Sequence, residues 1–236
     1  MVFTSSVFLF LFLPLFLGIY FLLPVRLRTS WMLLASYLFY GWWRLDFLAL
    51  FVATTLFTYL VGRRVIADRE AHPTRSFRWL TLGVVGNLAT LAYFKYFNFG
   101  IESFSRLLVS FGGEPVGAWQ VILPIGISFY VFQGVSFLVD VYRGDAVAST
   151  RFVDVAAYIA LFPQLIAGPI VRYKDLGPQL LRPVSSAGDF AAGSRRFMIG
   201  FCKKVLIADM VAPLANAAFS LPQPTMAEAW LGGLAY

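Results

Sequence analysis

The sequence predicts an all-α fold, a polytopic bundle of membrane helices with broken or re-entrant elements, and three observations predict it. Of the 236 residues, 59% are apolar and 13% charged, against about 45–50% and about 25% in an ordinary soluble domain. The mean hydropathy is +0.75, and the apolar residues fall in runs of bilayer-crossing length. Most basic residues behind the net charge of +7, such as Arg63-Arg64 and Arg195-Arg196, lie between those runs, as they do in cytoplasmic loops. A compact soluble domain could not cover so much apolar surface. A soluble secreted enzyme, a nucleic-acid module and a disordered tail are therefore excluded. The single cysteine, Cys202, excludes an internal disulfide.

Residues 7–23 read as an uncleaved first span, because no basic n-region precedes them and no small-residue cleavage site follows. A second apolar segment covers 31–43 and a third 47–62, with Arg44 and Asp46 at the turn. Tyr37, Tyr40, Trp42 and Trp43 crowd that turn as in an interfacial aromatic belt. Residues 63–78, with five arginines, read as a polar loop. A fourth span runs over 79–99, where Lys95 can snorkel between Tyr93, Tyr96 and Phe97. Gly112-Gly113-Glu114-Pro115 is a turn. A fifth span covers 119–139, a charged loop 140–151, a sixth apolar stretch 152–168, and a seventh helix 197–219. Pro222 and Pro224 break the chain, and 227–236 read as the first half of another span. The chain is expected to be a single membrane domain, residues 1–236, corresponding to the N-terminal half of a longer one and ending within an eighth hydrophobic segment.

Alternation from an outside N-terminus puts 24–30, 63–78 and 140–151 inside with nine Lys/Arg, and 44–46 and 100–118 outside with two. The positive-inside rule favours that orientation. The scheme then fails, because it would leave Arg172, Lys174, Arg182, Arg195 and Arg196 outside. The simplest repair is that 152–171 does not cross. Pro163, Gly168 and Pro169 interrupt it, and such breaks are tolerated at membrane depth where protein or a cavity covers them.

Lipid penalises polar groups inside spans, so those groups are the candidates for function. Gly126, Gln133 and Asp140 recur every seven residues and share a helix face with Ser136. That face either packs on neighbouring helices or also lines a substrate cavity. Lys203, Lys204 and Asp209 lie among apolar residues; the five-residue offset between Lys204 and Asp209 does not stack them on one face of an α-helix. Either the lysines snorkel from an interfacial helix or the charges face a bundle interior. The prolines and glycine of 162–170 free backbone groups that need partners. His72, beside Pro73 in the arginine-rich stretch, reads as a solvated histidine. With one histidine and one cysteine, a His/Cys metal site is not expected.

Three stretches stand out as a set: LPIGISFY from Leu123, continuing to DVYRG from Asp140; FPQLIAGPIVR from Phe162; and GFCKKVLIAD from Gly200. Together they resemble the membrane-bound O-acyltransferase (MBOAT) family, in its bacterial alginate O-acetyltransferase branch. Tyr40-Gly41-Trp42 and YFKYFNF from Tyr93 are similar to the same branch. The resemblance implies a ring of helices around a tunnel, with re-entrant elements inside. It implies acetyl transfer to a hydroxyl, with acetyl-CoA as the expected donor and no bound cofactor or metal. An exopolysaccharide, alginate above all, is the acceptor, reached directly or through a periplasmic acetyltransferase or other modification partner. The setting is the bacterial inner membrane and its lipid bilayer, multi-pass, with a periplasmic N-terminus and no nucleic-acid partner. The family's catalytic histidine, a general base, has no matching motif position before Tyr236, so no catalytic residue is assigned. Gln133, Gln164, Gly168, Arg172, Lys203 and Lys204 are the tunnel and donor-side candidates. A non-catalytic scaffold or a transporter or flippase component of polysaccharide export remains the alternative.

Overall fold

The computed structural model describes residues 3–117, 119–145, 151–165 and 168–236. They are helical, with no strand among them, because apolar runs without β-turn spacing satisfy their backbone groups locally. The described chain forms two compact units, one over Pro14–Pro183 and the other made of residues 3–13 with 184–236.

In the first unit α1 (Leu13–Leu22) and α2 (Val25–Gly41) are separated by Pro24, which caps α2 in an extended conformation. Next come α3 (Leu45–Asp68) and α4 (Pro73–Ser110). The arginine-rich stretch 63–78 is thus mostly helix, not loop, and only residues 69–72 turn. The physical reason is that arginine is a good helix former, so the helical hydrogen bonds run past the end of the apolar run. Pro73 sits at the first position of α4, where its missing N–H costs nothing. α3 and α4 pack closely: a Cβ on Gly83 would lie 2.9 Å from a Val61 methyl. Among the described residues one helix, α3, is long and apolar enough to cross a membrane; Phe8–Leu22 is a shorter apolar helix.

The expected fifth span over 119–139 is also redrawn, because 113–117 and 119–124 have no regular secondary structure. Gly112, Gly113, Pro115, Gly117 and Pro124 weaken helix there, and proline disfavours helix at the residue before it. Asn98 of α4 holds Val121 by a two-way clasp, its amide donating to Val121 O (2.8 Å) and its oxygen accepting from Val121 N (2.9 Å). α5 runs Ile127–Arg143, between Gly126 (φ +74°) and Gly144 (φ +77°). Asp140 is therefore a helical residue, fully buried, and not the start of a loop. The rest of the expected loop falls largely on 146–150, outside the described residues.

The sixth stretch is broken, as its prolines predict. α6 (Phe152–Ala160) stops at Leu161, a single turn α7 (Phe162–Leu165) follows, and α8 (Tyr173–Leu181) completes the unit. The six residues Val155–Ala160 are all buried, with α6 packed against α2, α3 and α8. The core joins α2, α3, α5 and α6 through Phe51, Tyr130, Phe137, Leu138 and Tyr158. Tyr40 belongs to that core and not to an aromatic belt. It is 3% exposed, with its ring 5.0 Å from that of Phe51, whereas Trp42 is exposed.

In the second unit a π-helical turn, Phe8–Phe12, belongs with α9 (Ala187–Cys202), the π segment Lys203–Ala208, α10 (Asp209–Phe219) and α11 (Met226–Ala235). Helix is continuous from 187 to 219, and Pro222 and Pro224 fall in the break before α11. α10 and α11 meet at Gly232, where a Cβ would lie 2.8 Å from that of Ala218.

Candidate functional site

Breaking a buried helix at 161–172 frees backbone groups, and side chains of neighbouring helices take them up. The Phe162 N–H donates to Ser36 Oγ (3.1 Å), itself fully buried on α2. The Tyr158 hydroxyl donates to Val171 O (2.8 Å), and the Lys174 N–H donates to the Asp140 carboxylate (3.4 Å). Thr29 Oγ1 donates to Leu180 O (2.7 Å) further along. The backbone groups of Phe162, Val171 and Lys174 are thereby satisfied inside the protein.

Against this broken element sits the polar face of α5. Gln133 is 1% exposed, and its amide donates to Gln164 Oε1 at 2.8 Å. Gly168 closes on the same turn: its N–H donates to Gln164 O (3.1 Å), and a Cβ there would lie 2.4 Å from Gln164 Cα. Two turns along α5, Asp140 faces Arg172 with 3.5 Å between Oδ1 and Nη2. That is an ion-pair distance without hydrogen-bond geometry, since Asp140 Oδ1 makes no hydrogen bond. Arg172 is half-exposed, so the pair links a buried carboxylate to a guanidinium at the edge. Four of the residues singled out from sequence, Gln133, Gln164, Gly168 and Arg172, thus gather along one face of α5.

The first unit also buries oxygens with no hydrogen-bond partner among the described residues: Tyr40 Oη, Thr55 Oγ1, Tyr130 Oη and Gln133 Oε1. Buried polar atoms in native proteins are nearly always hydrogen-bonded to protein or water. These are polar atoms set in an apolar core. Beside it, Asn87 of α4 donates to Thr58 Oγ1 of α3 (3.0 Å) and to Gly83 O (2.9 Å). Gly134 gives the α5 backbone access to both side chains. Sequence reasoning missed Ser36, Thr55, Thr58, Asn87 and Tyr130. Asn87, a lone amide in an apolar run, carried a signal; the hydroxyls did not, since a hydroxyl in a helix often bonds its own backbone.

Lys203 and Lys204 belong to the second unit, where both are exposed. The expectation that Lys204 and Asp209 do not share a face is corrected: their side chains are hydrogen-bonded. The reason is local. Residues 203–208 form a π-helix, and the Asp209 N–H donates to Lys204 O, so five residues make one turn. His72 is the exposed N-terminal cap of α4 and carries no part of this constellation.

Residues 145–231 match the family model of MBOAT, the membrane-bound O-acyltransferase family. Over all 236 residues the chain is 54% identical to "Probable alginate O-acetylase AlgI" of Azotobacter vinelandii, covering 47% of that protein. By that match and that identity the chain resembles the membrane-bound O-acyltransferase family. Its similarity to "Probable alginate O-acetylase AlgI" of Pseudomonas aeruginosa is 51% over 240 residues, all of this chain and 45% of the relative. A more distant relative is "Peptidoglycan O-acetyltransferase" of Helicobacter pylori, 30% identical over 271 residues and matched over 50% of its length. The chain spans about half the length of the curated relatives it matches. No solved structure matches it. The match and the relatives imply a membrane protein, and the matched region takes in Arg172, Gln164, Gly168 and both lysines.

Proposed function

We propose that this chain forms part of an O-acetyltransferase that passes acetyl from a cytoplasmic thioester donor, acetyl-CoA, to hydroxyls of a periplasmic exopolysaccharide, alginate. The single observation that carries the reading is the 54% identity, across every residue of the chain, with a protein named for alginate O-acetylation. The geometry supports it, because moving an acetyl group through a membrane needs a polar path inside an apolar bundle. The α5 face with its unpartnered Tyr130 and Gln133 oxygens supplies such a lining in the first unit.

In this reading Gln133, Gln164 and Gly168 form part of a tunnel wall. Arg172, Lys203 and Lys204 are donor-side cations that attract the phosphates of the donor. Both units belong to one membrane domain, which sits multi-pass in the inner membrane with its N-terminus in the periplasm and works with periplasmic modification partners. The chemistry breaks the thioester C–S bond and forms an ester C–O bond. The acceptor's hydroxyl proton leaves through a base, and the thiolate of the donor ends as a thiol. None of the residues described takes the base role.

The test uses the protein as its own gene encodes it, expressed in an alginate producer lacking its acetyltransferase. Polysaccharide-bound acetate should return. Gly168→Leu, which must push Gln164 aside, should lower bound acetate about tenfold or more while membrane insertion, read by fractionation, is unchanged. No bound acetate from a correctly inserted protein would overturn the reading, and full activity in Gly168→Leu would remove the tunnel role.

A further inference from the structure

A cavity of about 500 Å³ opens between α3 and α4, lined by Leu60, Val61, Arg63, Arg64, Ala67 and Trp79. It lies outside the α5 face, and neither the family resemblance nor acetyl transfer gives it a task. Its volume falls within the roughly 300–1,000 Å³ of small-molecule sites. We propose that it is a headgroup site for an anionic phospholipid, whose phosphodiester is taken by the Arg63 and Arg64 guanidinium groups.

The charges are available. Among the described residues Arg63 and Arg64 form no ion pair, and the nearby carboxylates are otherwise engaged. Asp68 accepts from the Trp79 indole N–H (3.1 Å), and Glu70 faces Arg69 at 3.7 Å. The Arg63 guanidinium stands 5.9 Å from the centre of the Tyr59 ring, which steadies its stem and leaves its donors free. Two guanidinium forks match a phosphodiester's two free oxygens better than any neutral headgroup. The Asp68 bond fixes the Trp79 ring, and an indole at the edge of an apolar span is the usual neighbour of headgroups.

The apolar side points to a lipid and not to a free phosphate. Leu56, Leu60, Arg63/Arg64 and Ala67 follow one another at three- and four-residue steps on one face of α3. Leu56 is 43% and Leu60 50% exposed, so the face runs from uncovered leucine to cation. α3 is also the helix long and apolar enough to cross a membrane. A strip graded from apolar to cationic copies a phospholipid from acyl chain to phosphate, and basic pockets between membrane helices bind such headgroups. Inorganic phosphate would use the arginines and ignore the leucines.

The test measures lipid binding to the purified protein as its own gene encodes it, in a neutral detergent, by native mass spectrometry with the thermal midpoint as a second readout. Phosphatidylglycerol should be retained and raise the midpoint, and phosphatidylcholine should do neither. Arg63→Gln/Arg64→Gln should weaken phosphatidylglycerol binding about tenfold or more, as loss of charge-assisted hydrogen bonds implies. Arg75→Gln/Arg78→Gln, which removes equal charge just outside the cavity, should leave it unchanged. Arg63→Lys/Arg64→Lys, which keeps the charge and loses the forks, should bind more tightly than the glutamine variant and less tightly than the parent, and its unliganded midpoint reports whether the site still folds. Equal retention of both lipids, equal loss in the two glutamine variants, or displacement of the lipid by millimolar inorganic phosphate would each overturn the proposal. The readout is binding, so an absence of acetyl transfer leaves it standing, and its own failure leaves the acetyl-transfer reading standing.

Discussion

Gly126 shows how one backbone dihedral sets the position of the whole α5 face. Its φ of +74° turns the chain into α5, and a Cβ there would meet the Leu165 carbonyl oxygen at 2.4 Å. Both the left-handed backbone and the contact argue against any side chain. Gly126→Ala should lower the stability of the detergent-solubilised protein by about 1–3 kcal/mol, the cost of a strained backbone position. Gly193→Ala on α9, where nothing lies within 4 Å of an added Cβ, should be neutral or slightly stabilising, since alanine is the better helix former. Thermal unfolding followed by circular dichroism separates the two. Equal midpoints would mean that α5 tolerates a different entry. The heptad Gly126–Gln133–Asp140 was legible as a face, but Gly126 acts as the cap of that face and not as one of its packed members.

At the scale of elements, the start of α9 titrates. Ser186 caps the helix and forms a reciprocal pair with Asp189: its hydroxyl accepts from the Asp189 N–H, while its own N–H and hydroxyl donate to the Asp189 carboxylate. The backbone bond, then the hydroxyl bond, hold that carboxyl below its ordinary value. A depressed carboxylate contributes stability that is present above its unfolded pKa and lost as pH falls through the folded value. The α9 cap should therefore hold at neutral pH and fray below about pH 4, the ordinary aspartate range. The Asp189 midpoint, read by carboxyl NMR shifts, should lie below that of an unstructured peptide and rise in Ser186→Ala. A midpoint that does not move on that substitution would count against the cap. The Ser186-x-x-Asp189 spacing makes this cap readable from sequence. The π turn at 203–208 is not, because an i,i+5 bond leaves no periodic mark in an apolar run.

For the whole molecule, the open quantity is orientation. Arg63 and Arg64 end α3 and Arg75 and Arg78 begin α4, so the arginines of this stretch gather at one end of a helical hairpin. The positive-inside rule places that end in the cytoplasm. Cysteines at Glu70 and Ala71, in a Cys202→Ser background, should resist an impermeant thiol reagent in spheroplasts and react after lysis. Labelling in intact spheroplasts would reverse the orientation and with it the donor side assigned to Arg172.

The sequence by itself determined the fold class, the membrane setting, the break at 162–170 and the buried polar face of α5. Each follows from the free energy of putting particular side chains or backbone groups into an apolar medium, which is a local property. Helix ends were less legible. Hydropathy marks where the apolar run stops, whereas the helix of 45–68 continues through arginines that satisfy its backbone equally well. Only the tertiary structure decided which polar groups meet: Gln133 with Gln164, Asp140 with Arg172, Thr58 with Asn87, and Ser36 with the freed Phe162 N–H. Those pairs join residues 29 to 126 positions apart. No local pattern encodes such a pairing, because what selects the partner is the packing that brings two helices together at small residues such as Gly83 and Gly134.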